Sequence, residues 1–384
     1  MDEPESTYPL HLRLCPECLL LQIPALITPE ETFTDYAYFS SFSDSWVAHA
    51  ESFVQTAVAR LGLGQSSFVV EVASNDGYLL QHVVAAGIPC LGIEPSENVS
   101  AAARERGVPT RTAFLTEPLA EEIVTERGTA DLVVANNVYA HIPDLLGFTR
   151  ALRRLVADDG FVSIEVHHAR QLVTEAQFDT IYHEHFQYYT VLAAQRALAT
   201  AGLVLTEVEE LSTHGGSIRL WARPETAAAT VGGSVGSAIQ AERDAGLDQP
   251  QGYLGLAQEV ARIRDDLVGF LIECRRTGLR VAGYGAPGKG NTLLNYCGIR
   301  PDLVAYLVDR NPYKHGRFTP GMRIPIHPVE MLAEDQPDVI LVLPWNLRTE
   351  ITAQLRPQID WPARLVFPLP HLEVVELSGV RSLV

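Results

Sequence analysis

The sequence lacks the features of secreted, membrane-spanning and nucleic-acid-binding proteins. No stretch approaches the roughly 20 consecutive apolar residues that a transmembrane helix needs, and residues 1–10 contain no basic-then-apolar leader. Only five cysteines are present and most are scattered, which favours a reducing compartment without structural disulfides. We therefore expect a cytoplasmic protein. The net charge of -18 argues against nucleic acids and anionic membranes as partners.

What the sequence does contain is material for two α/β domains. The chain has 384 residues, 47% of them hydrophobic, which is more than one ordinary domain needs. Strand, turn and helix patterns alternate along it, as in parallel sheets. We predict an α/β fold of two Rossmann-like doubly wound domains with a small N-terminal Cys-containing segment, and we expect a monomer. The predicted division is an N-terminal segment at 1–45, a first domain at 46–223, a linker at 224–252 and a second domain at 253–384.

The first strand-turn-helix pattern has the composition of a cofactor site. The turn Ser74-Asn75-Asp76-Gly77 follows a strand, and Glu94 ends the next strand about 20 residues on, where a carboxylate can accept hydrogen bonds from ribose hydroxyls. This placement serves NAD and S-adenosylmethionine alike. The turn contains a carboxylate and a single glycine, which disfavours a pyrophosphate and favours a cofactor with a cationic ammonium group. Alternatively, Asp76 and Glu94 only cap a helix and a strand.

Histidines are concentrated in the middle of the chain. Six of the twelve lie between His141 and His214, and Tyr182-His-Glu-His185 brings together four groups able to accept or donate protons. Two other interpretations stay open. His183 and His185 share a face if this segment is a strand, which permits a metal site. The cluster also fits a polar patch under a loop.

A second strand-turn-helix pattern resembles a dinucleotide fingerprint. It reads Gly283-x-Gly285-x-x-Gly288-x-Gly290, with Asp309 about 20 residues later. Taken alone, it suggests an NAD-dependent dehydrogenase. The same turn would bind another diphosphate equally well, because glycines let backbone N–H groups approach the phosphates and Lys289 adds positive charge. A Gly-rich structural turn is the remaining alternative.

Several segments, taken in order, resemble the S-adenosylmethionine-dependent C-methyltransferases of deoxysugar biosynthesis, and they cover nearly the whole chain. They are Val70–Leu80, Asn136–Asp144, Tyr182–Tyr189, Thr213–Arg219, Gly283–Asn291 and Leu343–Asn346. The resemblance implies methyl transfer from S-adenosylmethionine to the carbon alpha to the ketone of a thymidine-diphosphate-linked 4-keto-deoxysugar, via an enolate, in natural-product (antibiotic) biosynthesis. It also implies that the C-terminal domain holds the sugar nucleotide. An NAD-dependent dehydrogenase is the alternative function.

The resemblance also implies the site residues. For catalysis these are His185 as the base, Glu184 as its partner, and Tyr182, His141 and Tyr36 beside the keto-sugar. The cofactor residues are Ala73, Asn75, Asp76, Gly77, Glu94, Asn136 and Asn137. The substrate residues are Tyr38, His183, His214, Gly285, Lys289, Asn291 and Lys314. Gly288 departs from the family, which usually has Ala there.

The cysteine pair Cys15-Pro-Glu-Cys18 is half of a structural zinc site. The family usually carries a preceding pair, whereas this chain has no cysteine before Cys15. A closed tetrahedral site cannot be built from two thiolates. The chain therefore begins late relative to its relatives, or the zinc site is lost or needs another ligand. Zinc is expected only as a possibility at an incomplete site.

Overall fold

The computed structural model describes residues 5–33, 36, 38–226 and 230–377, and its strands form three sheets. Within these residues the strands are, in chain order, β1 Arg13–Leu14, β2 Leu21–Gln22, β3 Val69–Val72, β4 Cys90–Glu94, β5 Thr110–Thr112, β6 Ala130–Asn136, β7 Val156–His167, β8 Gln187–Tyr188, β9 Leu203–Leu211, β10 Ser217–Pro224, β11 Val281–Tyr284, β12 Leu307–Val308, β13 Ile326–His327, β14 Val339–Val342, β15 Ala363–Phe367 and β16 Glu373–Leu377.

Helices follow most of the strands, as the alternating pattern predicts. In the same part of the chain the α-helices are α1 Pro29–Phe33, α2 Asp44–Leu61, α3 Leu80–Ala85, α4 Glu97–Glu105, α5 Glu117–Arg127, α6 Leu145–Leu155, α7 Ala169–Thr174, α8 Val191–Ala199, α9 Gly233–Asp244, α10 Leu256–Arg276, α11 Gly288–Cys297, α12 Met331–Asp335 and α13 Arg348–Leu355.

The first large sheet has seven strands in the order β5-β4-β3-β6-β7-β10-β9. The first five run parallel, and β10 is antiparallel to both β7 and β9. All four residues of β3 are buried, as expected for a parallel strand covered on both faces. The chain moves outward from β3 in one direction and from β6 in the other. The carboxyl ends of β3 and β6 therefore flank a topological switch point, where α/β sheets bind ligands.

The second large sheet repeats this plan. Its order is β13-β12-β11-β14-β15-β16, with only β16 antiparallel to its neighbour. The switch point lies between β11 and β14. Both sheets have their own buried apolar cores, and the predicted α/β class with parallel, doubly wound sheets is confirmed.

Two smaller elements join the large sheets. The antiparallel sheet β1-β2-β8 ties the N-terminal residues to the chain just after the histidine cluster. The span predicted as a linker contains α9, whose Val235 and Ala238 pack in the core of the first sheet. No helix among the described residues is both long enough and apolar enough to cross a membrane.

Candidate active site

The turn after β3 is fixed by Glu94 at the end of β4. One carboxylate oxygen accepts the backbone N–H of Asn75 at 3.0 Å and the other accepts that of Ser96 at 2.9 Å. Burial raises the pKa of Glu94, and these two N–H donors oppose the rise. Ala73 and Gly77 have positive φ angles of 54° and 78°, so the turn curls tightly around the strand end. Glu94 thus shapes the predicted cofactor turn.

The carboxylate of Asp76 forms an ion pair within the protein. Its Oδ2 lies 2.7 Å from Nη1 of Arg106 and accepts the hydroxyl of Ser41 at 2.5 Å. The residue is fully buried. Its Oδ1 is buried and has no hydrogen-bond partner within the described residues, so the expected role of this carboxylate toward a cofactor ammonium group stays a prediction. Arg106 and Ser41 were not among the predicted site residues, because nothing in their local sequence marks them.

The segment before α2 lies across the same turn. The Oδ1 of Asn75 accepts the backbone N–H of Ser40 at 2.8 Å, and its Nδ2 donates to the carbonyl of Tyr38 at 3.1 Å. Farther along, the Tyr36 hydroxyl is 3.5 Å from Oε2 of Glu184, at the limit of a hydrogen bond. The aromatic segment therefore links the cofactor turn to the histidine cluster. The Tyr38 side chain itself is 51% exposed.

Asn136 and Asn137 stand at the switch point of the first sheet. The Oδ1 of Asn136 and the Nδ2 of Asn137 are buried, and neither has a hydrogen-bond partner within the described residues. Buried polar groups are normally paired. An open acceptor and an open donor at this edge fit a nucleoside cofactor, so the residues present are compatible with the predicted one.

His185 has a defined tautomer and no charge. Its Nδ1 lies 2.8 Å from the carbonyl oxygen of Thr180, which can only accept, so Nδ1 carries the proton. Its Nε2 lies 2.9 Å from the Tyr182 hydroxyl and accepts that hydrogen. Burial lowers the pKa of His185 well below its usual value, and neighbouring His141 adds to the shift. The imidazole therefore presents a free-base nitrogen to Tyr182.

The neighbours of His185 favour neutral forms as well. The rings of His141 and His185 meet nearly at right angles with centroids 4.8 Å apart. Burial lowers the pKa of His141 to about 4 and raises that of Glu184. His141 follows the carboxyl end of β6, so the structure places His185 beside that edge of the first sheet.

The metal interpretation rested on a strand through His183 and His185, and that premise is wrong. Residues 182–185 form a turn. The ring of His183 faces Tyr8 at 5.9 Å, whereas His185 faces Tyr182. Among the residues that the structure describes, no group of three or more His, Cys, Asp or Glu side chains is arranged to hold a metal ion.

Cys15 and Cys18 form a compact turn between β1 and β2. Hydrogen bonds from the backbone of Cys18 and Glu17 lower the pKa of the Cys15 thiol. Two thiolates still leave half of a tetrahedral site unfilled, and no further ligand joins them from the described part of the chain. The residues present do not fit a structural zinc ion.

The turn after β11 is built like the one after β3. Asp309, which follows β12, accepts the backbone N–H of Ala286 at 2.7 Å and that of Asn311 at 2.8 Å. Lys314 donates to Asp309 at 3.0 Å, so this predicted substrate residue is held in an ion pair within its own domain. Gly285 has a φ of 82°, a conformation that favours glycine.

The start of α11 faces the histidine cluster. A methyl group on Gly288 would lie 3.9 Å from a ring carbon of Tyr182. The hydroxyl of Thr292 donates to the carbonyl of Ile181 at 2.8 Å. Asn291 lies on the same first turn of α11. The start of α11 in the second domain and the segment 181–185 are thus in direct contact.

Lys289 points into this contact. Its Nζ donates to the amide oxygen of Asn346 and lies 4.7 Å from the ring centroid of Trp345. Trp345 in turn donates its Nε1–H to Oδ2 of Asp179 at 2.6 Å. Trp345 and Asn346 lie in Leu343–Asn346, one of the segments that resemble the family, so the sequence pointed to them although no role was assigned. Nothing in the sequence pointed to Asp179.

His214 lies in the loop between β9 and β10, where a Cβ added to the neighbouring Gly215 would lie 2.7 Å from the ring of Trp345. The ring of His214 is 4.9 Å from that of Trp46 on α2, and Trp46 stacks on His49 at 5.0 Å. His49 reaches Glu165 of β7 at 3.0 Å, which also pairs with Arg219 of β10 at 2.8 Å. These contacts connect the loop of His214, through α2, to strands β7 and β10 of the first sheet.

Comparison with known proteins identifies the family. A relative, the C-methyltransferase NovU of Streptomyces niveus, is 34% identical over 375 residues, covering 98% of this chain and 89% of that protein. The chain belongs to the C-methyltransferase family. The profile described as a methyltransferase domain matches residues 46–208, and that of the C-methyltransferase C-terminal domain matches residues 212–370. The predictions of a C-methyltransferase and of an enzyme that transfers methyl groups are confirmed.

Solved structures of other methyltransferases are also similar in part. Magnesium protoporphyrin IX methyltransferase of Synechocystis PCC 6803, with bound SAH, is 18% identical with a TM-score of 0.38, over 46% of this chain and 83% of that one. An S-adenosylmethionine-dependent methyltransferase of Anabaena variabilis is 13% identical with a TM-score of 0.39, over 46% of this chain and 85% of that one.

Proposed function

We propose that this C-methyltransferase uses S-adenosylmethionine to methylate the carbon alpha to the ketone of a thymidine-diphosphate-linked 4-keto-deoxysugar, in natural-product biosynthesis in the cytoplasm. The observation that carries the proposal is the neutral His185, whose Nε2 accepts a hydrogen bond at the junction of the two switch points. A carbon next to a ketone becomes a nucleophile only after it loses a proton, and Nε2 of this imidazole is an unprotonated nitrogen that can take it.

Tyr182 and His185 divide the proton chemistry between them. The Tyr182 hydroxyl turns from Nε2 toward the ketone oxygen when the sugar enters, which frees the lone pair of His185. The C–H electron pair then moves into the enolate as the proton passes to Nε2. The hydroxyl stabilises the developing oxyanion, and His141 is close enough to assist.

The remaining groups orient the reactants. The carbonyl of Thr180 holds the imidazole through Nδ1, and Tyr36 with Glu184 forms the polar wall beside it. Asn136 and Asn137 would hold S-adenosylmethionine, which supplies an electrophilic methyl group when bound. The turn at 285–291 would receive the diphosphate at backbone N–H groups. In this proposal the two domains are residues 46–223 and 253–384, and the enzyme is a monomer.

A labelling experiment tests the proposal. The protein is incubated with methyl-labelled S-adenosylmethionine and a panel of thymidine-diphosphate keto-sugars, and the product is analysed by NMR. We expect label on the carbon adjacent to the ketone of at least one sugar. Label on oxygen, or no label on any member of the panel, contradicts the proposal.

A further inference from the structure

Lys289 is unusual in the composition of this chain. Lys289 and Lys314 are the only lysines among the 29 Lys and Arg residues. Arginine keeps its charge in proteins, whereas a lysine amine responds strongly to its surroundings and offers three donors from one point. Lys314 is paired with Asp309. Lys289 reaches away from its own turn toward the first domain.

The contacts of Lys289 are with the segment that follows β14, which reaches Asp179 through Trp345. Its Nζ rests against Asn346 and the ring of Trp345. Burial lowers the pKa of Lys289, and the charge of Asp179 opposes that shift. Burial also lowers the pKa of His167 to about 3, and the positive charge of Lys289 contributes. The ammonium group is therefore close to residues of the first sheet that surround the base.

Asp179 supplies an unused acceptor in the same place. The residue is 1% exposed, and its Oδ2 is bonded to Nε1 of Trp345. Its Oδ1 is buried and makes no hydrogen bond of good geometry within the described part of the chain. The next residue, Thr180, is the one that orients His185. Lys289 and Asp179 form no direct ion pair, although each influences the pKa of the other.

We propose, resting on the proposed function, that Lys289 and Asp179 together bind a hydroxyl group on the sugar ring of the substrate, and that Lys289 does not serve the diphosphate. A hydroxyl is the substituent that suits both partners, because it accepts from the ammonium group and donates to the carboxylate. A buried, charged site built for a hydroxyl discriminates strongly against analogues that lack it. The pair thereby selects which keto-sugar is positioned beside His185.

The test compares binding of the nucleotide with turnover of the sugar. In Lys289→Met we expect kcat/KM for the keto-sugar to fall about 10-fold or more. The Kd of thymidine diphosphate, measured by calorimetry, should stay within about twofold of the wild type. Arg275→Met is the matched control, since it removes an exposed charge on α10. The proposal is overturned if kcat/KM and the affinity for thymidine diphosphate fall by the same factor, or if kcat/KM does not fall.

A second variant tests the proposal independently, in case Lys289→Met does not fold. Asp179→Asn keeps an acceptor for Trp345 but weakens the acceptor for the sugar. It should lower kcat/KM for the hydroxylated sugar, with little effect on the monodeoxy analogue that lacks the bound hydroxyl. Equal losses for both sugars contradict the proposal. If the wild type methylates no keto-sugar at all, the proposed function fails; if it does and Lys289→Met is unchanged, only this inference fails.

Discussion

At the scale of single residues, burial sets the protonation states around His185. A free imidazole is half protonated near pH 6.5, and a protonated base cannot accept the alpha proton. Withdrawal from water disfavours the charged form, and the bond from Nδ1–H to the carbonyl of Thr180 fixes which nitrogen is free. Burial therefore keeps the imidazole of His185 unprotonated over a wide range of pH.

This predicts the pH dependence of the reaction. Because the pKa of His185 is lowered, the base stays unprotonated below pH 6, and kcat/KM should be nearly constant from pH 8 to below pH 6. Activity should fall only as the pH passes below that lowered pKa. A profile of kcat/KM against pH checks this. A decline with a midpoint near 6.5 would show that His185 is exposed to water or is not the base.

At the scale of elements, the two glycine positions of the second turn show how far sequence reasoning reaches. The pattern predicted that the glycines of the motif let backbone N–H groups approach a diphosphate, without distinguishing one glycine from another. In the structure Gly285 has positive φ, and an added Cβ would lie 2.6 Å from Pro344. Gly288 has open space up to Tyr182. The spacing marks the turn, but only the fold determines which glycine is required.

Alanine at each position tests this difference. Gly285→Ala should lower the free energy of unfolding by about 2 kcal/mol or more, through backbone strain and the clash with Pro344. Gly288→Ala should leave it unchanged or raise it by up to about 1 kcal/mol, because alanine suits the start of α11 better. Urea denaturation measures both. Equal destabilisation of the two variants contradicts the assignment.

Helix α9 was missed because its small side chains resemble a linker. Its attachment depends on Glu242, a fully buried carboxylate. Glu242 accepts the backbone N–H groups of Val191 and Leu192 at the start of α8, at 2.5 and 3.0 Å, and meets Nε2 of His168 at 2.7 Å. These partners lie some 50 to 75 residues away along the chain, so no local pattern could indicate the contact.

Removing that carboxylate should loosen α9 from the first domain. Glu242→Ala leaves several buried donors unpaired, and we expect a loss of about 3 kcal/mol in the free energy of unfolding, measured with urea. Asp244→Ala is the control, because Asp244 is exposed on the same helix and, within the described residues, accepts a hydrogen bond from Gln240 alone. It should change stability by less than about 0.5 kcal/mol. Similar losses in both variants count against a specific role for Glu242.

At the scale of the whole molecule, the switch points of the two large sheets both lie next to the segment 181–185, the proposed catalytic segment. The sequence predicted both strand-turn-helix units, and β4 ends at Glu94 as predicted. It could not predict that Arg106 would pair with Asp76, or that Lys289 would contact Trp345, which donates a hydrogen bond to Asp179. Each of these arrangements brings together residues of separate elements, so no local sequence pattern could indicate it.

The central claim is that His185 takes the alpha proton of a keto-sugar held between the domains, and proton exchange in deuterated water measures it directly. With the keto-sugar and no S-adenosylmethionine, the wild type should exchange the alpha hydrogen. His185→Gln should slow the exchange by about 100-fold or more, whereas His371→Gln, an exposed histidine, should match the wild type. Exchange by His185→Gln at the wild-type rate, or none by the wild type, would falsify the account.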